Sequence, residues 1–316
     1  MANFIDVSNL TYCGKEMQDI FAKDIYSLDL RNYGVTLLDG VKGKVKLYSG
    51  EIGSVLQSYS CPFTPQGAAS LAESFIEPVT LKSNLENCYD SFWNTFLVEQ
   101  TSISLNGGIP ETFAEWFFDK YRQKMAREYE EIFWQGDETY SGATKEYLAV
   151  TDGIEKQLED NSGVTKINGA ALTVDNVLAQ VEAAINSGLA VAADAEVDTE
   201  RYKVLMNYND VRLLKMALGK VCCPNSQSIF SNYAKEGEKV FIFGFEVVPT
   251  MQSRNTIIFG DPRNLVLGFD SYDSHLTWKL IDMRETTGDN MFRIIAITNI
   301  AVGIVFPEGF VYSRPE

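Results

Sequence analysis

Residues 239–312 read KVFIFGFEVVPTMQSRNTIIFGDPRNLVLGFDSYDSHLTWKLIDMRETTGDNMFRIIAITNIAVGIVFPEGFVY. Six runs rich in Val, Ile, Phe and Tyr succeed one another here: KVFIFGFEVVP, NTIIFGD, NLVLGFD, LTWKLID, MFRIIAIT and AVGIVFPEGFVY. The main breaks fall at Gly260-Asp261-Pro262, Asp270-Ser271-Tyr272-Asp273 and Gly288-Asp289-Asn290. β-Branched and aromatic side chains suit a pleated, half-buried surface, while Gly, Pro, Asn and Asp punctuate it. The chain therefore closes in β-sheet. No nucleophile, base or metal-ligand cluster accompanies the strands, so the stretch points to shape rather than to chemistry.

Upstream the period changes. In 110–135 the apolar residues Phe113, Trp116, Phe117, Tyr121, Met125, Tyr129, Ile132 and Phe133 recur every three or four positions. This predicts a helix of roughly 35–40 Å at ~1.5 Å per residue, with one aromatic stripe facing a core. Pro110 suits its first turn, Glu111 and Glu115 its positive end, and Gly136 its stop. Further on, Thr173 reads as the N-cap of a helix with a Val174, Val177, Leu178, Val181, Ala184, Ile185 stripe, ended by Gly188. A strand over Tyr202–Met206 follows, then a helix from Asn209-Asp210 through Leu213, Leu214 and Leu218 to Gly219. Helix, strand, helix and then many strands is an α+β order.

Residues 1–35 carry single large side chains, among them Phe4, Tyr12, Phe21, Tyr26, Leu30 and Tyr33, without a sustained period. They read as an extended arm packed on something else. Val41-Lys42-Gly43-Lys44-Val45-Lys46-Leu47-Tyr48 alternates like a strand with one wet face, and Phe75–Leu81 reads as a returning strand. The Gly-, Ser- and Pro-containing stretch between them is expected to be a loose tip. A lone hairpin is marginally stable in water, so this excursion needs a surface to lie on, its own domain or a neighbouring copy.

At 316 residues the chain has room for two moderate lobes, and 45% hydrophobic with 22% charged residues is globular composition. A net charge of −16, from 43 acids against 27 bases, argues against a sequence-independent grip on phosphates, while leaving room for a protein that lies beside DNA without adhering to it. The five cysteines, Cys13, Cys61, Cys88, Cys222 and Cys223, show no CxxC pair and no His at zinc-finger spacing. Reduced, buried cysteines in a cytosol are expected, including the adjacent Cys222-Cys223. The leading Met1–Asp6 lacks the basic and apolar parts of a secretion signal, so cytoplasmic synthesis is expected. The longest apolar stretch, Ile294–Phe306, is interrupted by Thr298 and Asn299 and falls short of the ~20 residues of a membrane span.

Catalytic patterns are scarce. His275 is the only histidine, which excludes HExxH, and neither GxSxG, GxxxxGK[ST] nor GxGxxG occurs. Acid groups such as Glu130-Glu131, Asp194 with Glu196 and Asp198, and Asp270 with Asp273 are unavoidable among 43 carboxylates. They keep a carboxylate-dependent hydrolase as a rival reading. Asp194-Ala195-Glu196-Val197-Asp198 lacks the glycine and distal glutamate of an EF-hand loop. No catalytic, cofactor-binding or metal residue is assigned, and no cofactor is expected.

The order of arm, Lys- and Gly-containing β excursion, long aromatic helix ending in EEIFWQGD (130–137), mixed lobe and terminal sheet resembles the major capsid proteins of tailed double-stranded DNA bacteriophages. The closing pattern matches best: a Gly-x-x-Val strand at Gly244, a strand ending in Gly260-Asp261, and Asn264-Leu-x-x-Gly268-x-Asp270, then long strands and a hydrophobic tail. The resemblance implies an N-terminal arm at 1–36, an extended β-hairpin at 37–83, a peripheral domain at 84–165 and 273–299 carrying the spine helix, and an axial domain at 166–272 and 300–316. It implies a non-enzymatic protein that assembles with itself into hexamers and pentamers of an icosahedral shell around a phage genome, formed in the host cytoplasm and residing in the virion. Portal, scaffold and decoration proteins are the implied partners, DNA is enclosed without sequence-specific binding, and no membrane is involved. Because encapsulins share this fold, a nanocompartment shell is the alternative. Contacts between subunits are expected from Phe4, Tyr12, Phe21, Tyr26, Lys42, Lys44, Lys46, Tyr48, Tyr59 and Phe63. Some relatives crosslink a lysine of the hairpin to a neighbour's asparagine, but the ordinary reading of the three lysines is a solvated face that discourages edge pairing.

Overall fold

The computed structural model describes residues 29–52, 56, 58–59, 61, 69–88, 113–194, 198–220, 239–269, 279–283 and 287–315. In chain order these form α1 (Asp29–Tyr33), β1 (Thr36–Asp39), β2 (Val45–Ile52), β3 (Ala69–Ile76), β4 (Val79–Cys88) and the long α2 (Phe113–Gln135). Next come α3 (Ile154–Asp160), β5 (Thr165–Gly169), α4 (Val177–Asp194), β6 (Lys203–Asn207) and α5 (Tyr208–Lys220). The closing strands are β7 (Val240–Ile242), β8 (Phe245–Thr250), β9 (Ile257–Gly260), β10 (Leu265–Phe269), β11 (Lys279–Asp282), β12 (Met291–Ile304) and β13 (Val311–Pro315). The expected α+β class is what the chain adopts.

Two sheets divide the work. In the first lobe β12 is the central strand: β4 pairs along one edge over Met291–Ile300, while β11 and β10 occupy the other, and β1 joins β10 in parallel. The second lobe holds a six-stranded sheet in the order β5-β13-β9-β6-β8-β7. β12 runs unbroken across 299/300, although Thr298 and Asn299 look like a break in sequence. Both polar residues have partners in place: the Thr298 hydroxyl meets the Tyr129 hydroxyl, and Asn299 Oδ1 accepts from Thr80 Oγ1 at 2.8 Å. β4 likewise crosses 83/84, and Phe75–Leu81 is two strands in different sheets, parted at Glu77-Pro78.

α2 is described from Phe113 and stops at Gln135, before Gly136; the expected start at Pro110 lies outside the described residues. Its final turns are buried on more than the stripe, since Trp134 is as inaccessible as Phe133 and packs edge-on against it at 5.0 Å. Met125, Tyr129, Ile132 and Phe133 join Ile294, Ala296 and Ile300 of β12 in one core. Tyr121 donates to Ser83 Oγ of β4 at 2.7 Å. Burial pushes the Tyr129 phenol well above its ordinary value, so it stays neutral and hydrogen-bonded. Tyr129→Phe removes the phenol that pairs with the buried Thr298 hydroxyl. Equilibrium denaturation should show a loss of about 1–2 kcal/mol.

Where α2 ends, two backbones cross. Gly153 donates to the Gly136 carbonyl at 2.8 Å, and Gly136 donates to the Ile132 carbonyl at 3.0 Å. A Cβ on Gly153 would lie 2.6 Å from Gly136 N and 2.8 Å from Ile132 O, and one on Gly136 would lie 2.3 Å from Thr151 O. Side chains are excluded by backbone on both sides.

In the second lobe α4 and α5 cover the six-stranded sheet with Val177, Val181, Ala184, Ile185, Val211, Leu214 and Ala217. Gly188 does not end α4, which continues to Asp194. Its reason is proximity: a Cβ there would stand 2.2 Å from Cδ1 of Phe259, whose ring also meets Tyr202 and Phe245 edge-on. The expected strand over 239–249 is a hairpin, turning at Phe243 and Gly244 with φ of 51° and 90°. A phenylalanine in the left-handed region carries no sequence signal for a turn. α5 starts at Tyr208, capped by Asn207 Oδ1 accepting from Asn209 N at 2.9 Å.

Residues 29–35, expected in the arm, belong to the chain's own core through Leu30, Tyr33 and Val35. Lys203 Nζ reaches the Tyr33 carbonyl at 3.2 Å and the hydroxyls of Tyr33 and Tyr208 meet at 2.7 Å. Arm residues 1–28 lie outside the described residues.

Both lobes meet at the β8–β9 loop, Met251–Thr256. From the first lobe, Gln135 at the end of α2 donates to the Met251 carbonyl, and Glu155 of α3 accepts from Ser253 N. From the second, Asn207 donates to the Gln252 carbonyl, and Asp210 of α5 accepts from Asn255 N at 2.7 Å. Gln252, fully buried, donates to the carbonyls of Leu205 and Thr256 and accepts from Thr250 Oγ1.

Candidate functional site

β2 and β3 pair in register from Val45↔Ile76 to Ile52↔Ala69 and form a sheet of their own. Their two faces differ. Inward, Val45, Leu47 and Ile76 close on Val41, Val266 and Ala301. Ile76 is seated in a slot over the first sheet that only glycine leaves open: a Cβ on Gly303 would lie 2.1 Å from Ile76 Cγ2. Ser74 Oγ adds a long hydrogen bond of 3.4 Å to the Ile304 carbonyl. The hairpin base is thus fastened to β12.

Outward, the hairpin shows Tyr48, Leu71 and Phe75 with exposures of 52%, 65% and 49%, and Leu56 and Tyr59 near the tip are more open still, at 87% and 95%. Large apolar side chains this exposed gather on one narrow ribbon and form a contiguous face rather than scattered surface residues. Lys44 and Lys46 stand over the Phe75 ring at 4.8 and 5.5 Å, and Lys46 pairs with Glu73 at 2.9 Å and Lys44 with Glu77 at 3.9 Å. These are exposed, screened contacts that order the face without adding much stability. No large net charge accumulates on it.

Of the residues expected to touch neighbours, Lys42, Lys44, Lys46, Tyr48 and Tyr59 are all exposed on this hairpin or just before it. Phe4, Tyr12, Phe21, Tyr26 and Phe63 lie outside the described residues. The sequence reading missed Leu71 and Phe75. Their cross-strand partners, Gly50 and Lys46, place them on the same face as Tyr48, a signal available only once the register is known.

Of the carboxylates considered for chemistry, Glu131 has structural work. Glu131 accepts from Tyr147 and from Lys145 at 2.9 Å, with Arg127 at 3.4 Å. Burial opposes its ionisation, yet these partners together hold its carboxyl below the usual range. Asp270, Asp273, Glu196 and His275 lie outside the described residues. Among the described residues no group of three or more His, Cys, Asp or Glu is placed to hold a metal ion, and no helix is long and apolar enough to cross a membrane. A cavity of about 90 Å³ lies between α2 and the first sheet, lined by Leu81, Met125, Tyr129, Ile132 and Thr298 among others. That is well under the roughly 300–1,000 Å³ of ordinary ligand pockets.

No protein-family model and no curated protein sequence matches the chain. Solved structures do match in shape. The chain is similar to the satellite phage P4 procapsid that includes the size-determination protein Sid, with a TM-score of 0.64 at 11% identity over 95% of this chain and 91% of that one. It is similar to the capsid of Myoviridae phage XM1, with a TM-score of 0.55 at 11% identity over 100% of both chains. It also resembles the capsid of a native GTA particle, with a TM-score of 0.55 at 11% identity over 92% of this chain and 90% of that one. The fold is that of phage capsid proteins. The likeness spans both lobes and the region that carries the hairpin.

Proposed function

We propose that this chain is a major capsid protein: copies assemble into the hexamers and pentamers of an icosahedral head that encloses the double-stranded DNA of a tailed phage. The observation that carries this reading is the hairpin, which clamps its inner face to its own sheet and leaves Tyr48, Leu71 and Phe75 turned outward, on a chain with the phage-capsid fold. A neighbouring copy supplies the missing surface, repeated around a closed shell where every subunit gives and receives the same contact. Lys42, Lys44 and Lys46 border that contact, and the arm with Phe4, Tyr12, Phe21 and Tyr26 adds to it. The role is structural rather than enzymatic, and no cofactor enters it. Portal, scaffold and decoration proteins are the further partners, and the acidic chain walls in DNA without gripping it. The protein resides in the virion after assembly in the host cytoplasm.

Negative-stain microscopy of the overexpressed full chain tests this directly. Uniform hollow particles are expected, alone or with a scaffold protein. A chain that stays monomeric under every assembling condition overturns the reading, and a copurifying cargo enzyme would mark an encapsulin-like compartment instead.

A further inference from the structure

Glu155 lies in the first turn of α3 in the first lobe, is 4% exposed, and accepts the backbone N–H of Ser253 in the loop of the second. Three other ionisable groups face it. Glu159 lies one turn along the same helix, and Tyr312 and Arg314 project from β13. The Arg314 guanidinium is half-exposed and donates to Glu159 at 3.2 Å, which divides its charge between the two acids. At the other end of the loop the buried Asp210 accepts from Asn255 N, so two acids of different lobes hold one six-residue segment.

We propose that Glu155 and the loop Met251–Thr256 form a proton-operated latch between the lobes. With the carboxyl neutral, α3 and the loop remain closed on one another. Loss of the proton leaves a charge in a dry seam, and water reaches it only when the loop parts from α3. Desolvation outweighs the Ser253 hydrogen bond and Arg314, with Glu159 adding to it, and pushes Glu155 up to about 7. The sign follows: closure binds the proton more tightly than the open form. The stabilisation is full below the ordinary carboxylate range near 4.3 and fades as pH rises towards neutrality. Tyr312, pushed up to about 12 mainly by burial, stays neutral throughout. The latch does not depend on whether copies assemble.

Hydrogen exchange of the 251–256 amides in the full chain, corrected for the intrinsic pH dependence of exchange, tests it. Protection should fall at least about tenfold between about pH 5 and 8 and level off above neutrality. Glu155→Gln, which keeps the acceptor and cannot ionise, should flatten that profile. Should Glu155→Gln fail to fold, Glu159→Gln provides the second arm, with the transition moved to lower pH. Parallel profiles in wild type and Glu155→Gln, or no movement in Glu159→Gln, would overturn the proposal.

Discussion

Gly153→Ala should lower stability by about 3 kcal/mol or more, a fall in Tm of about 5 °C or more for a chain of this size. The added Cβ meets Gly136 N at 2.6 Å, Ile132 O at 2.8 Å and Phe133 O at 2.9 Å. All three are backbone atoms of a helix end buried under Phe133 and Trp134. Relief requires moving the last turn of α2, which carries the fully buried, edge-on pair Phe133 and Trp134. Gly142→Ala is the control. Its Cβ also falls close, 2.3 Å from the Tyr140 hydroxyl and 2.4 Å from its Cζ, but these are atoms of one half-buried side chain rather than of crossing backbone. Its cost should stay within about 1 kcal/mol. Thermal melts of the two variants decide whether backbone crossing, rather than crowding in general, governs this corner; equal losses would refute it.

The second large effect belongs to assembly. In the triple variant Tyr48→Asp, Leu71→Asp, Phe75→Asp, particle yield should drop at least about a hundredfold while the melting temperature moves by no more than about 2 °C. None of the three side chains joins a core cluster among the described residues. The folded monomer therefore loses little. A neighbour covering the face would have to desolvate three carboxylates beside Glu73, without partners arranged for them. Phe75→Leu with Leu71→Met keeps an apolar surface and should preserve assembly. Wild-type particle yield from the triple variant would show that the hairpin's outer face lies open to solvent in the shell.

Local order was readable wherever one period persisted. The spacing of Met125, Tyr129, Ile132 and Phe133 announces both the helix and its buried side, and the Val- and Ile-rich runs announce the sheets. Legibility failed where a residue answers to something distant. Gly188 looks like a stop because its neighbour Phe259 is 71 positions away. Thr298 and Asn299 look like an interruption because the hydroxyls of Tyr129 and Thr80 are invisible from within the strand. The junction residues Glu155, Asp210 and Gln252 follow no pattern, since each is defined by partners contributed from other elements. The outward face was half legible: alternation exposed Lys44, Lys46 and Tyr48, whereas Leu71 and Phe75 required the pairing register.

Because Ile76 over Gly303 pins the base of the hairpin and its eight-residue strands span about 27 Å at ~3.4 Å per residue, the ribbon behaves as a lever pivoting on a methyl group. A tilt of about 10° at that pivot sweeps the far end through roughly 5 Å, the spacing between neighbouring strands. Changes too small to disturb either lobe can therefore redirect where the ribbon lands.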